Sequence, residues 1–255
     1  MKKLLDLVLV MAAALALASA CATTTGHGDE PSASQTAGTF LDRGVMFTSR
    51  GEYDIAVADF TEAIRLDPNN ANAYRERGNA YADKGDFDRA IADYNQAIRL
   101  DSNYARAYRN RGVAYSNKEE YDRAIADYTQ AIRLDPNLAV AYYNRGLAYY
   151  YKEDYDRAIA DYTEAIRIDP NDAAAYYNRG IAYADKEDYD RAIADYNEAL
   201  RLDPNDAAVY YNRGIASYYK EDYAHARADW EKALQLDPTD ASAWDNLEIL
   251  QGMGY

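Results

Sequence analysis

The sequence predicts an all-α protein whose helices stack as a solenoid. Three observations lead there: a gapless 34-residue period from residue 37 onward, two amphipathic helical stripes in each period, and a helix-stopping corner that closes most of them. Gly44, Gly78, Gly112, Gly146, Gly180 and Gly214 keep the period without a slip, as do Ala56, Ala90, Ala124, Ala158, Ala192 and Ala226. A second alanine series follows it: Ala63, Ala97, Ala131, Ala165, Ala199 and Ala233. Pro68, Pro136, Pro170, Pro204 and Pro238 mark the unit ends, with Ser102 the exception.

The N-terminus reads as an address. Lys2 and Lys3 precede an uncharged run from Leu7 to Ala20, shorter than the roughly 20 apolar residues a spanning helix needs. Residues 1–20 are therefore expected to be a secretory signal peptide. It ends Leu17-Ala18-Ser19-Ala20-Cys21, which resembles the bacterial lipobox, although Ala18 stands where Leu is most common. By that resemblance Cys21 is acylated, and more than one chain gives stable anchoring. The other reading is an ordinary cut nearby with Cys21 incidental. In lipoproteins resembling those of typical Gram-negative bacteria, Ala22 after the cysteine points to the outer membrane. Residues 21–36, rich in Thr, Ser and Gly, read as a flexible tether with an r.m.s. reach of roughly 20–25 Å.

Residues 37–240 hold six units, each read as two helices. In residues 139–172, Tyr142, Gly146 and Tyr149 share one face of the first helix. Tyr155, Ala158, Ile159, Tyr162, Ala165 and Ile166 form the stripe of the second, with Lys152-Glu153-Asp154 as the turn. Asp169-Pro170 stops that helix, because the residue before proline is pushed out of helical geometry. Asn171 or Asp172 can then cap the next one. Glycine and the first alanine of each unit lack bulk where two helices approach closely. The tyrosines at Tyr142, Tyr149, Tyr176 and Tyr183 are expected in inter-helix packing.

This pattern of Gly, aromatic, Ala, aromatic, Ala and Pro is identified as that of the tetratricopeptide repeat (TPR) family. The resemblance implies six antiparallel helix hairpins in a right-handed superhelix with a concave groove. Such units are stable only by stacking on neighbours. Residues 241–255 begin like a seventh unit with Trp244 but carry Glu248 in place of glycine, and read as a polar-backed capping helix.

One departure recurs. The residue before each glycine is arginine (Arg43, Arg77, Arg111, Arg145, Arg179, Arg213), and an aspartate follows sixteen residues on (Asp59, Asp93, Asp127, Asp161, Asp195, Asp229). The regular pairing predicts an Arg–Asp ladder joining helices within or between units.

In proteins resembling this one the groove is lined by the first helix of each unit. Carried over, its N-terminal half is polar: Asn72, Arg75, Glu76, Asn79, Arg106, Arg109 and Asn110. Its C-terminal half is aromatic and aliphatic: Val140, Tyr143, Leu147, Tyr150, Tyr151, Tyr177, Ile181, Tyr211, Ile215, Tyr218 and Tyr219. Asn110, Asn144, Asn178 and Asn212 form a ladder able to donate to and accept from a peptide backbone. Some relatives capture a C-terminal carboxylate with a Lys/Asn/Asn/Lys/Arg clamp. Arg75, Asn79 and Asn110 match its first positions, while Val140 and Asn144 stand where cations are needed, so the clamp is incomplete.

The composition bounds the partners. Tyrosine is abundant, 27 against 4 Phe and 2 Trp, which suits surfaces both apolar and wet. A formal charge of −15 gives no net basic surface to displace phosphate counterions, so nucleic acid is excluded. Loss of residues 1–20 would make the chain one unit more negative, since Lys2, Lys3 and Asp6 go with it. With one cysteine there is no intrachain disulfide. No metal-ligand spacing, nucleophile–base pair or phosphate loop is present, and the Asp-Pro-Asn-Asp corners lack the glycine and distal glutamate of a calcium loop. A non-enzymatic scaffold without cofactor or metal is expected, lipid-anchored in the bacterial envelope and holding a protein or peptide partner. Resemblance to TPR lipoproteins that assemble pili or gather cell-wall enzymes rests on architecture alone. Self-association through the tyrosine face, and glycan or small-ligand binding in the groove, remain open as rivals.

Overall fold

The computed structural model describes residues 33–254, and the signal peptide and Cys21 lie outside them. Thirteen helices and no strand occur among the described residues. The first helices of the six units are α1 (Ala33–Ser49), α3 (Ala71–Asp83), α5 (Ala105–Asn117), α7 (Ala139–Tyr151), α9 (Ala173–Asp185) and α11 (Ala207–Tyr219). The second helices are α2 (Tyr53–Leu66), α4 (Phe87–Leu100), α6 (Tyr121–Leu134), α8 (Tyr155–Ile168), α10 (Tyr189–Leu202) and α12 (Tyr223–Leu236). Helix α13 (Ala241–Gly252) closes the array. No described helix is long and apolar enough to cross a membrane.

One boundary moves. Residues 33–36, assigned to the tether, form the first turn of α1, which at 17 residues exceeds the 13 of its counterparts. Ala33, Ser34, Gln35 and Thr36 contain no helix breaker, so helical geometry reaches back to Ala33, the first described residue.

Each helix packs on the next in sequence, and consecutive first helices also touch one another. Consecutive second helices show no comparable contact, so the first helices sit closer together and line the inner, concave side. The hairpin is closed by a ring seated on a glycine. A Cβ on Gly146 would lie 2.8 Å from Tyr162 Cε1, closer than real carbon contacts allow. The same notch receives Phe60, Tyr94, Tyr128, Tyr196 and Trp230 in the other units. These six rings are at most 2% exposed.

The caps explain where helices start. Asp172 Oδ1 accepts from the Ala175 amide at 3.2 Å, while Asn171 instead donates its own amide to Asp169 Oδ1, so Asp172 is the cap. Asn70, Asp206 and Asp240 serve likewise, but Tyr104 and Leu138 stand at the equivalent place without a side-chain cap. The hairpin turns use a left-handed residue: Gly51 and Gly85 in the first two units, then Glu119, Glu153, Glu187 and Glu221 with φ near 60°.

The Arg–Asp ladder forms within units and reaches between them. Arg145 donates from Nε and Nη2 to both Asp161 oxygens at 2.7 and 2.8 Å, and from Nη1 to Thr129 Oγ1 of the preceding unit at 2.9 Å. All six pairs are bidentate, and the last five arginines reach back in this way to Thr61, Asn95, Thr129, Thr163 or Asn197. The guanidinium also sits over the ring four positions from the unit's start, 5.7 Å from Tyr142 in the case of Arg145. Tyr142, Tyr149, Tyr176 and Tyr183 are correspondingly half-buried, each ring having an arginine guanidinium over it. A second ladder, not foreseen from sequence, joins each turn lysine to an aspartate of the unit before it, as Lys118 to Asp88 at 2.5 Å. Lys84–Asp54, Lys152–Asp122, Lys186–Asp156 and Lys220–Asp190 repeat it.

The cap helix is less polar than expected. Asp245, Glu248 and Gln251 share its outer side with Trp244, which is 57% exposed, and Ile249 is 51% exposed. No other described helix covers them.

Two outcomes follow for stability. Arg145→Ala strands the buried Asp161 carboxylate and is expected to cost about 3 kcal/mol, read as a lower Tm by circular dichroism; an unchanged Tm refutes the ladder. Glu153→Gly relieves a left-handed conformation that L-residues resist, with an expected gain of about 0.5–1 kcal/mol and a higher Tm in the same assay.

Candidate functional site

The inner face is a row of seven first-helix surfaces, α1 to α13, and its seams are bridged by side chains. Tyr143, Tyr177 and Tyr211 occupy equivalent places, each half-buried. Asn178 Nδ2 donates to the Tyr143 hydroxyl at 3.0 Å, Asn212 to Tyr177 at 2.8 Å, and Asn246 to Tyr211 at 3.5 Å. The Tyr143 ring leans on Tyr162 at 5.9 Å and Tyr177 on Tyr196 at 6.1 Å, so these tyrosines are a floor, pinned below by the notch rings. Burial of its ring, opposed by the bond from Asn178, raises the Tyr143 pKa. It stays neutral and able to donate.

The asparagine ladder is therefore only half free. Asn178 and Asn212 also donate to the carbonyls of Ala174 and Ala208, which leaves their Oδ1 atoms as acceptors for a ligand. Sequence reasoning placed these residues on one line but assigned both functions to a partner; the seam takes the donor first.

Leu147 and Ile181 are half-buried, packed with Tyr143, Tyr150 and Tyr177 in the two inner clusters. Tyr150 is tied to the next unit by donating to Asp185 Oδ2 at 2.7 Å. The most exposed aromatic surface is at the hairpin-turn edge of the groove. Tyr151 and Tyr219 are 62% and 61% exposed, and each stacks on a second-helix tyrosine of the preceding unit. Tyr121–Tyr151 centroids are 5.4 Å apart and Tyr189–Tyr219 5.3 Å, with rings nearly parallel. Tyr218 meets Tyr219 edge-on at 5.8 Å. Together with Tyr211, Ile215, Trp230, Asn246 and Ile249 the last pair borders a cleft of about 270 Å³. The stacking partners Tyr121 and Tyr189 were not foreseen; their thirty-residue spacing from Tyr151 and Tyr219 was the available signal.

The N-terminal half is chemically different. Arg75 is engaged: Nε donates to the Tyr104 hydroxyl at 2.6 Å, Nη2 to Asn72 at 2.7 Å, and the guanidinium pairs with Glu76. Asn79 donates to Glu76 at 2.9 Å, and its carbonyl accepts from Tyr94 and Asn110 at 2.9 and 2.6 Å. Burial, reinforced by nearby Asp83, raises the Tyr94 pKa, and burial raises that of Tyr128 to about 12, so both hydroxyls keep their protons. Arg106 is exposed, and Arg109 is half-buried with its Nε unbonded. Asn110 is 9% exposed and its Oδ1 has no donor. Arg75, Asn79 and Asn110 thus form one polar network, but Val140 and the half-buried Asn144 supply no cation to complete a carboxylate clamp.

No group of three His, Cys, Asp or Glu side chains able to hold a metal ion occurs among the described residues. The bonded residues on the inner face are tyrosines, asparagines and arginines in fixed register. Such side chains can offer hydrogen bonds and ring faces to a ligand.

Known proteins match along the repeat array. A TPR repeat model matches residues 44–85 and 78–119, and tetratricopeptide repeat models match 105–138, 143–207 and 179–245. Among solved structures, MamA is 32% identical with a TM-score of 0.59, over 65% of this chain and 96% of that one. YrrB, described as a TPR protein with an unusual peptide-binding site, is 28% identical with a TM-score of 0.65, over 74% and 97%. PilF of Pseudomonas aeruginosa superposes with a TM-score of 0.75 over 85% and 98% at 17% identity, a likeness of fold alone. No curated relative matches the chain. The glycine-notched hairpins, their period and these matches agree, and the chain belongs to the tetratricopeptide repeat family.

Proposed function

We propose that the protein is a non-enzymatic adaptor, lipid-anchored through Cys21 in the bacterial envelope, that holds a partner peptide or helix in its concave groove. Membership of a protein-interaction repeat family supports the scaffold reading. The observation that carries the groove assignment is the row Tyr143, Tyr177 and Tyr211, half-buried and locked in register by Asn178, Asn212 and Asn246. A pre-set aromatic floor loses little side-chain entropy when a ligand covers it, and each well-buried apolar side chain of a ligand contributes about 1.5–3 kcal/mol before association costs. The free Oδ1 atoms of Asn178 and Asn212 above that floor can accept amide protons from the ligand's backbone. YrrB, with its peptide-binding site, is a precedent for this use of the fold.

The anchor reading rests on Leu17-Ala18-Ser19-Ala20-Cys21 and places the array in the envelope, with Ala22 favouring the outer membrane. A second reading has a specific observation behind it. Tyr151 and Tyr219 expose stacked tyrosine pairs at the groove's edge, a surface through which two copies can associate.

Crosslinking in the native cell and pull-down with Tyr143→Ala/Tyr177→Ala/Tyr211→Ala decide the groove. The triple variant is expected to lose its partner while the circular-dichroism spectrum stays helical; retention of every partner refutes the assignment. Cys21→Ser is expected to abolish fatty-acid labelling and move the chain from the membrane to the soluble fraction. Unaltered labelling refutes the anchor.

A further inference from the structure

We infer that the groove carries an anion site at the seam between the third and fourth units, centred on Arg109, and that the partner segment presents acidic side chains there. This inference rests on the groove reading above and specifies the chemistry of its polar half.

The pattern of the seams singles out this place. Where Tyr143, Tyr177 and Tyr211 accept a hydrogen bond from the asparagine of the next unit, the third unit has Arg109. The asparagine at the bonding place is Asn144, but arginine offers its amide no acceptor, and the Asn144 carbonyl oxygen, which could accept from the guanidinium, makes no bond to it. Neither side chain has a hydrogen bond or ion pair. Arg109 is the one arginine among the described residues that is withdrawn from solvent and yet unpartnered; Arg50, Arg99 and Arg106 also lack partners but are exposed. Its Nε is fully shielded from water. Glu76, the nearby groove acid, is already held by Arg75 and Asn79.

An unpaired buried cation costs stability, and a carboxylate in this seam would satisfy it together with Asn144. Burial, together with the like charges of Arg75 and Arg106, lowers the Arg109 pKa, although it remains protonated at neutral pH. Arg106, exposed and unpaired, adds a second cation near Arg109 in an otherwise strongly acidic chain, whereas the charge of Arg75 is met by Glu76. The inner face continues from this seam into the tyrosine floor of units four to six. An occupant running through it therefore meets cations first and apolar rings next. Acidic side chains followed by an apolar or aromatic stretch complement that order, and a chain passing onward presents side chains, not its terminus, to Arg109.

The test uses the full chain in mild detergent and a fluorescein-labelled peptide. The probe has three glutamates, a Gly-Ser spacer and a Leu-Ala-Tyr-Leu stretch, and is amidated at its C-terminus. Fluorescence anisotropy is expected to show binding that weakens on the order of tenfold or more with Arg109→Gln. Arg99→Gln, which removes the same charge from the outer side, is expected to leave affinity unchanged. The Tm of Arg109→Gln should equal or exceed that of the unaltered chain, since the variant loses an uncompensated charge; a structural role would lower it. The proposal is overturned if the glutamate peptide does not bind the unaltered chain, or if its lysine counterpart binds as well. It also falls if Arg109→Gln behaves as Arg99→Gln, if its affinity loss comes with a lower Tm, or if only the free-acid form of the peptide binds. Loss of binding in the triple tyrosine variant with none in Arg109→Gln would leave the groove standing and remove the anion site alone.

Discussion

A ring pressed against a glycine holds each hairpin closed, and the rest of the structure depends on that contact. Gly146 and its equivalents leave room for Tyr162 and its equivalents, with no space for a single added carbon. Depth at this notch sets how near the two helices of a unit lie. It also fixes the height of the inner-face tyrosines, because Tyr143 and Tyr177 rest on the notch rings. A larger residue in the notch would force the helices apart and tilt the floor above it.

Above that contact, polar side chains set register. The arginine before each glycine grips the second helix of its own unit with two bonds, and five of the six reach the preceding unit with a third. The guanidinium fork is planar and rigid, so it fixes angle as well as distance. The turn lysines do less for stability, since their aspartate partners are largely exposed and such pairs contribute little individually. Their regularity instead aligns successive turns along one edge, the same edge that carries the stacked tyrosine pairs.

What the inner face can offer a ligand is what the ladders leave over. Donors of Asn178 and Asn212 are used up in the seams, while their acceptors are not. Five of the six ladder arginines are pinned on three sides, whereas Arg109, one helix face away, is pinned on none. The resulting inner surface is asymmetric from end to end, polar and cationic in units two and three, aromatic in units four to six. A partner that binds such a surface has a preferred direction.

The sequence by itself determined the all-helical repeat, its period, the hairpin turn and the Arg–Asp pairing. Each of these is written in residues whose spacing equals a helical or repeat period. The aromatic row of the inner face was legible for the same reason. Tertiary structure decided how the hydrogen bonds are shared, because bonds across a seam join residues 30 to 35 positions apart that no local pattern links. It showed that Asn178 spends its donor on Tyr143, that Tyr150 answers to Asp185, and that residues 33–36 belong to the first helix. It also separated Arg109 from the other arginines. In sequence Arg109 is one cation among many, and only its depth, with a neutral amide opposite instead of a carboxylate, leaves its charge unmatched.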